Sequence, residues 1–222
     1  MCGRFNLITD ALAFIDFFEL SNSLALSPRY NIAPSQNIAA VRRVGDHREA
    51  SLLHWGLIPH WAKDRKIAYK TINARAETVA EKPAFRSAFR YRRCLIPASG
   101  FFEWKLIGGS KQPYNITLKS GGLMAFAGLW ESWTSHAGER IDSCTIIVAE
   151  ANDAVRPVHD RMPVILDPAN YGIWLDPALQ SPELLQPLLK PFPAALTLVQ
   201  PVDRSVGNPA NDGPICVAPL PR

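Results

Sequence analysis

Arg93-Cys94-Leu95-Ile96-Pro97-Ala98-Ser99-Gly100-Phe101-Phe102-Glu103-Trp104-Lys105 sets two β-like runs, Arg93 to Ile96 and Phe101 to Lys105, on either side of a turn of Pro, Ala, Ser and Gly. Runs of the same kind recur on both sides of it: Ile38 to Arg43, Ala50 to Trp55, Tyr114 to Leu118, Met124 to Trp130, Thr145 to Val148, Pro163 to Leu166 and Leu196 to Gln200. Helical patterns are short and interspersed. Asp10 is placed to cap a helix through about Leu20 whose apolar face is Leu12, Phe14, Ile15, Phe17 and Phe18. Pro83 to Arg90, Pro168 to Leu175 and Pro182 to Leu189 each open with a proline in the first turn, and Pro187 is set to distort the last of them. The stretch through Pro28 and Pro34 reads as turns. With no internal repeat or composition break, the pattern predicts one α+β domain over residues 1–222, built on a bent, largely antiparallel, barrel-like β-sheet with flanking short helices.

The 222 residues are 47% apolar and 20% charged, with 13 Gly and 19 Pro, which excludes disordered, collagen-like and coiled-coil chains. The longest apolar runs, such as Leu123 to Trp130, fall far short of the ~20 residues of a membrane span. No basic segment followed by an apolar one opens the chain, so a soluble cytoplasmic protein is expected. Dinucleotide fingerprint, P-loop, G-x-S-x-G elbow and H-E-x-x-H are all missing, and no cofactor is expected.

The net charge of +4 is unevenly spread: residues 1–105 carry 16 Lys or Arg against 9 acids, and residues 106–222 carry 8 against 11. The excess lies between Lys63 and Arg93, where Lys63, Arg65, Lys66, Lys70, Arg75, Lys82, Arg86, Arg90, Arg92 and Arg93 face only Asp64, Glu77 and Glu81. Such a field suits a polyanion, nucleic acid first, or simply a solvated face.

Cys2, Cys94, Cys144 and Cys216 form no C-x-x-C pair and have no histidine pair at ligand spacing, so neither zinc nor a disulfide is expected. Cys94, Cys144 and Cys216 stand in apolar runs and read as core. Cys2 differs. Loss of Met1 would leave a free α-amine and a thiol on adjacent carbons, both partly deprotonated near neutral pH. Such a 1,2-aminothiol condenses with an aldehyde to a Schiff base, and the thiol then closes a thiazolidine.

Met1-Cys2-Gly3-Arg4-Phe5 resembles the opening signature of the SOS response associated peptidase (SRAP) family, whose members crosslink covalently to abasic sites in single-stranded DNA. The resemblance continues through Arg29-Tyr30-Asn31-Ile32-Ala33-Pro34, Trp55-Gly56-Leu57-Ile58-Pro59, Ile72-Asn73-Ala74-Arg75-Ala76-Glu77-Thr78, the stretch quoted first, and Val158-His159-Asp160-Arg161-Met162-Pro163. A weaker block follows near Val202 to Asp212.

The resemblance implies roles. Cys2 matches the nucleophile, Asn73 the asparagine that places it and the sugar, Glu103 the acid/base glutamate, and His159 a second proton carrier. Glu103 is expected to be desolvated between Phe102 and Trp104 if it faces inward, or simply wet if its strand is half buried. Arg4, Arg75 and Arg161 would hold phosphates; Pro34 and Trp61 are suited to stack on or wedge against bases, or equally to ordinary packing; Lys82 and Arg86 would extend a basic rim, whereas Arg90, Arg92 and Arg93 read as solvating a helix end. The implied activities are Schiff-base (lyase-type) chemistry and autopeptidase removal of residues before the cysteine. The implied partner is single-stranded DNA with abasic sites, met by a monomer in the cytoplasm or nucleoid. Val148-Ala149, where relatives often carry hydroxyls, and Ala62, where some carry an aromatic, depart from the pattern. A passive single-stranded DNA-binding module and a cysteine peptidase using Cys2 and His159 on other proteins are the alternatives.

Overall fold

The computed structural model describes residues 2–220. The strands are β1 (Phe5–Leu7), β2 (Arg29–Ile32), β3 (Asn37–Val44), β4 (His47–Trp55), β5 (Asn73–Arg75), β6 (Arg93–Ala98), β7 (Gly100–Ile107), β8 (Ser110–Leu118), β9 (Met124–Thr134), β10 (Arg140–Glu150), β11 (Arg161–Pro163), β12 (Ile165–Leu166) and β13 (Thr197–Pro201). Among them lie the helices α1 (Ala11–Phe18), α2 (Arg86–Tyr91), α3 (Tyr171–Leu175) and α4 (Pro182–Leu185).

β10 closes a barrel. It runs antiparallel to β9, with Cys144 opposite Trp130, and parallel to β4, with Cys144 also opposite Trp55. The order β10-β4-β3-β6-β9 therefore returns to β10. The far end of β10 outruns both neighbours and takes new ones. On one side Ile146 and Val148 face Asn73 and Arg75 of β5; on the other Val148 and Glu150 face Pro163 and Arg161 of β11. One strand end thus brings two distant segments of the chain to the same rim.

The second sheet, β13-β8-β7-β1-β2, is antiparallel throughout. Only Ser99 separates β6 of the barrel from β7 of this sheet, so the two runs of the opening stretch do not fold back on one another but pass from one sheet into the other. Gly100 is needed there, because a Cβ would stand 2.7 Å from Asn115 Oδ1. Aromatic contacts join the layers: the Phe5 ring lies 5.3 Å from Trp55 and 5.9 Å from Phe126, and Phe101 lies 6.1 Å from Phe126. These rings sit in one large core that also contains Cys2, Cys94 and Cys144.

The predicted α+β, barrel-like class is the one observed, and Asp10 caps α1 by accepting from the Ala13 N–H at 2.9 Å. Three strands had no reading of their own. β1 and β5 are three residues each, and β2 replaces an expected run of turns. All three are held by partners far away in sequence rather than by their own pattern. The helix expected from Pro83 begins at Arg86, since Phe85 and Arg86 both turn their N–H groups to Lys82 O. No helix among the described residues is long and apolar enough to cross a membrane.

Candidate functional site

β1 determines where the start of the chain lies. Phe5 faces Phe101, Asn6 faces Gly100, and the Phe102 N–H donates to Arg4 O at 2.9 Å, which directs residues 2–4 along β7 towards Glu103. Cys2 is 0% exposed, with Sγ 3.9 Å from Arg4 O. Burial, with the Glu103 carboxylate adding, holds its thiol well above the ordinary thiol range. The thiol therefore waits as S–H. Met1, whose loss would free the α-amine, lies outside the described residues.

Of the two expectations for Glu103, the inward one holds: the residue is 3% exposed. Burial, reinforced by the Asp160 carboxylate, pushes its carboxyl up to about 7, in the range useful for proton transfer at neutral pH. His159 Nε2 lies 3.8 Å from Glu103 Oε2, and burial lowers the imidazole below its ordinary value. Nδ1 lies 3.0 Å from the Arg161 N–H and 3.3 Å from the Arg161 carbonyl oxygen, and Nε2 is the nitrogen facing Glu103. The Asp160 carboxylate lies 3.1 Å from the same Nδ1, where it can accept a hydrogen bond from a protonated ring nitrogen. The pair lines a cleft of about 540 Å³ whose walls are Trp104, Lys111, Pro113, Arg204 and Gly207.

Asn73 lies on β5 at the rim of a second cleft, of about 610 Å³, with Trp61, Lys70, Arg75, Thr78, Lys82, Pro83, Ala84 and Phe85. Its Nδ2 donates to Ile146 O at 3.4 Å, while Oδ1 is buried and unpartnered among the described residues, leaving an acceptor for a ligand's donor. Trp61 is 51% exposed, which suits stacking, and Lys82, Arg86 and Arg75 are exposed beside it or on the adjoining helix. Pro34 is half-buried in the turn between β2 and β3, next to Ser35 at φ 69°.

Several cations are more committed than their formal charge suggests. Arg93 is 4% exposed and donates to the carbonyls of Phe89, Arg90, Trp174 and Asp176, so it clamps the C-terminal ends of α2 and α3 from inside rather than solvating a helix end. Arg92 is paired with Glu131 at 2.7 Å. The basic face is therefore made by Lys63, Arg65, Lys66, Lys70, Arg75, Lys82, Arg86 and Arg90, all exposed. Arg161 pairs with Glu77 at 2.6 Å. Arg4 donates to Asn31 Oδ1 and Val206 O, each at 2.8 Å, and its guanidinium lies 5.8 Å from the Trp104 ring centre.

Asn31 went unremarked in the sequence. Fully buried, it accepts from Arg4 and donates to the carbonyls of Val206, Asn208 and Asn211, while Asp212 accepts from the Tyr30 and Asn31 N–H groups. The block near Val202 to Asp212 is thus fastened to the strand that flanks β1. Lys111 and Arg204 were missed too. Their only signal is charge, and it falls in the acid-rich half of the chain.

The family model for SOS response associated peptidase (SRAP) matches residues 1–209. Over 216 residues the chain is 47% identical to abasic site processing protein YoaM of Bacillus subtilis, covering 96% of this chain and 95% of that one. Abasic site processing protein HMCES of Xenopus tropicalis is 30% identical over 229 residues, covering 87% of this chain and 66% of that one. A crystal structure of a protein from Bacteroides thetaiotaomicron superposes with a TM-score of 0.90 at 26% identity, covering 99% and 100% of the two chains.

Proposed function

Because the chain belongs to the SOS response associated peptidase (SRAP) family, we propose that it processes abasic sites in DNA, capturing the ring-opened aldehyde in a single strand through Cys2. The observation that carries this reading is a buried thiol beside a carboxyl tuned to about 7 and an imidazole 3.8 Å from that carboxyl, at a cleft with cationic walls. With Met1 removed, the Cys2 amine adds to C1′ of the aldehyde. Glu103 and His159 move the protons, first as the sugar ring opens to the aldehyde and then, after the addition, as water leaves the carbinolamine to give the imine. The Cys2 sulfur adds to the imine carbon and its proton passes to the nitrogen; one C–N and one C–S bond form and one water departs. The thiazolidine removes the imine that would otherwise drain into β-elimination. The same proton carriers, run backwards, release the DNA. Arg75 and Arg161 would hold phosphates flanking the lesion, Asn73 Oδ1 would orient the amine, and Trp61 would stack on a neighbouring base.

Incubation with single-stranded DNA bearing one abasic site, followed by a denaturing gel, is the test. A shifted band is expected from protein whose intact mass shows Met1 removed, and none from Cys2→Ala. An equal band from Cys2→Ala would overturn the proposal. Turnover of peptides that survives acetylation of the α-amine would favour a peptidase instead, since thiol chemistry on a peptide needs no amine.

A further inference from the structure

The two walls of the cleft at Asn73 come from different parts of the chain. One is the turn Pro59–Ala62, which projects Trp61; the other is the Lys82–Phe85 turn that leads into α2. Neither wall is held by a strand ladder. Glu131 on β9, whose side chain is 7% exposed, does not line the cleft but bonds to residues next to both walls.

Glu131 Oε2 lies 3.1 Å from His60 Nδ1 and 2.7 Å from Arg92 Nη2, and Oε1 accepts the Ser132 N–H at 3.1 Å. His60 is the residue before Trp61. The same Arg92 nitrogen donates to Ser87 Oγ of α2 at 2.9 Å. One carboxylate thus ties the Trp61 turn to α2. Two residues along the same face of β9, the Trp133 indole N–H donates to Ala62 O at 2.7 Å, on the other side of Trp61. We infer that Glu131, through His60 and Arg92, sets the separation of the Trp61 wall from the Lys82–Phe85 wall, and that it is a positioning residue for the base that stacks there.

The physical reason is that an exposed tryptophan on a four-residue turn has several orientations to choose from, and a stacking platform binds more tightly when it does not have to be ordered by its ligand. A buried carboxylate shared by an arginine and an imidazole is a stiff tie, because breaking either contact leaves a desolvated charge with one partner fewer.

The inference rests on the reading that this cleft holds a DNA strand, and the experiment separates the two. Affinity for lesion-free single-stranded DNA and the rate of adduct formation at saturating abasic DNA are measured for the wild type, Trp61→Ala, His60→Ala, Glu131→Gln and the double variant Trp61→Ala/Glu131→Gln. Trp61→Ala is expected to weaken binding roughly tenfold, the loss of one stacked base. Glu131→Gln and His60→Ala are expected to weaken it by roughly three- to tenfold with the saturated rate unchanged. Because the tie acts through Trp61, the double variant should bind no more weakly than Trp61→Ala. Additive losses, or a fall in the saturated rate equal to the fall in affinity, would overturn the inference.

His60 is exposed at the surface, so His60→Ala keeps the outcome readable if Glu131→Gln compromises folding. With 5-fluorotryptophan incorporated, the Trp61 resonance, identified by its absence in Trp61→Phe, should shift or broaden in His60→Ala without DNA. A shifted resonance with DNA affinity unchanged in every variant would sink the DNA reading of the cleft; an unshifted one would sink the role of Glu131.

Discussion

Replacing Glu103 by glutamine should stabilise the protein above neutral pH while crippling its chemistry. A carboxyl whose folded value is raised from the ordinary 4.5 to about 7 binds its proton more tightly folded than unfolded. The stability this brings is fully present below pH 4.5 and is lost as pH rises through 7. At about 1.4 kcal/mol per tenfold change, the wild type at pH 8 carries a cost of about 3 kcal/mol that glutamine, which never ionises, does not. For a chain of this size that corresponds to roughly 6–12 °C in Tm. Thermal or urea unfolding of both proteins between pH 4.5 and 8.5 would show the curves diverging as pH rises, with Glu103→Gln the more stable at the alkaline end. In the same samples, adduct formation should lose its pH transition near 7 along with most of its rate, while affinity for lesion-free DNA is kept. Parallel stability curves would mean that Glu103 ionises at its ordinary value, and the assignment of a neutral-pH proton carrier would fall with it.

Cys2→Ser keeps the amine but replaces sulfur with a weaker nucleophile, so borohydride should trap an imine adduct that is lost from denaturing gels without reduction; a stable unreduced band would remove sulfur from the ring. Asn31→Ala abandons three carbonyls and Arg4 in a buried site and should cost about 3–5 kcal/mol in denaturant unfolding, where a cost under ~1 would show the hub to be replaceable. Glu77→Gln releases Arg161 from its 2.6 Å ion pair and should raise DNA affinity at low salt about two- to threefold with a steeper salt dependence; unchanged binding would take Arg161 off the phosphate path.

The sequence made the long strands legible because β3, β4 and β6 to β10 are apolar runs with turn residues between them. It left β1, β2 and β5 unread, since Phe-Asn-Leu, Arg-Tyr-Asn-Ile and Asn-Ala-Arg are too short for their alternation to mark a strand and are held as strands by β7, β1 and β10. Closure of the barrel by a strand with parallel partners on one side and antiparallel on the other is a tertiary event with no local signature. The same divide runs through the candidate site. Its aminothiol chemistry marked Cys2, and only the family resemblance marked Asn73, Glu103 and His159; alternation alone left Glu103 either wet or buried, and the fold buries it. Counting charges overstated the basic face, because Arg92 and Arg93 are bonded inside.

The register of β1 also has a meaning in time. Phe5 finds its partner in Phe101, and Arg4 finds one in Val206, so a chain emerging from the ribosome cannot cover its second residue until about a hundred more have followed. At about 5–20 residues per second, that leaves the terminus open for roughly 5–20 s. Any trimming that bares the Cys2 amine has that interval in which to act, after which the folding of the strand around Phe101 closes over the proposed nucleophile.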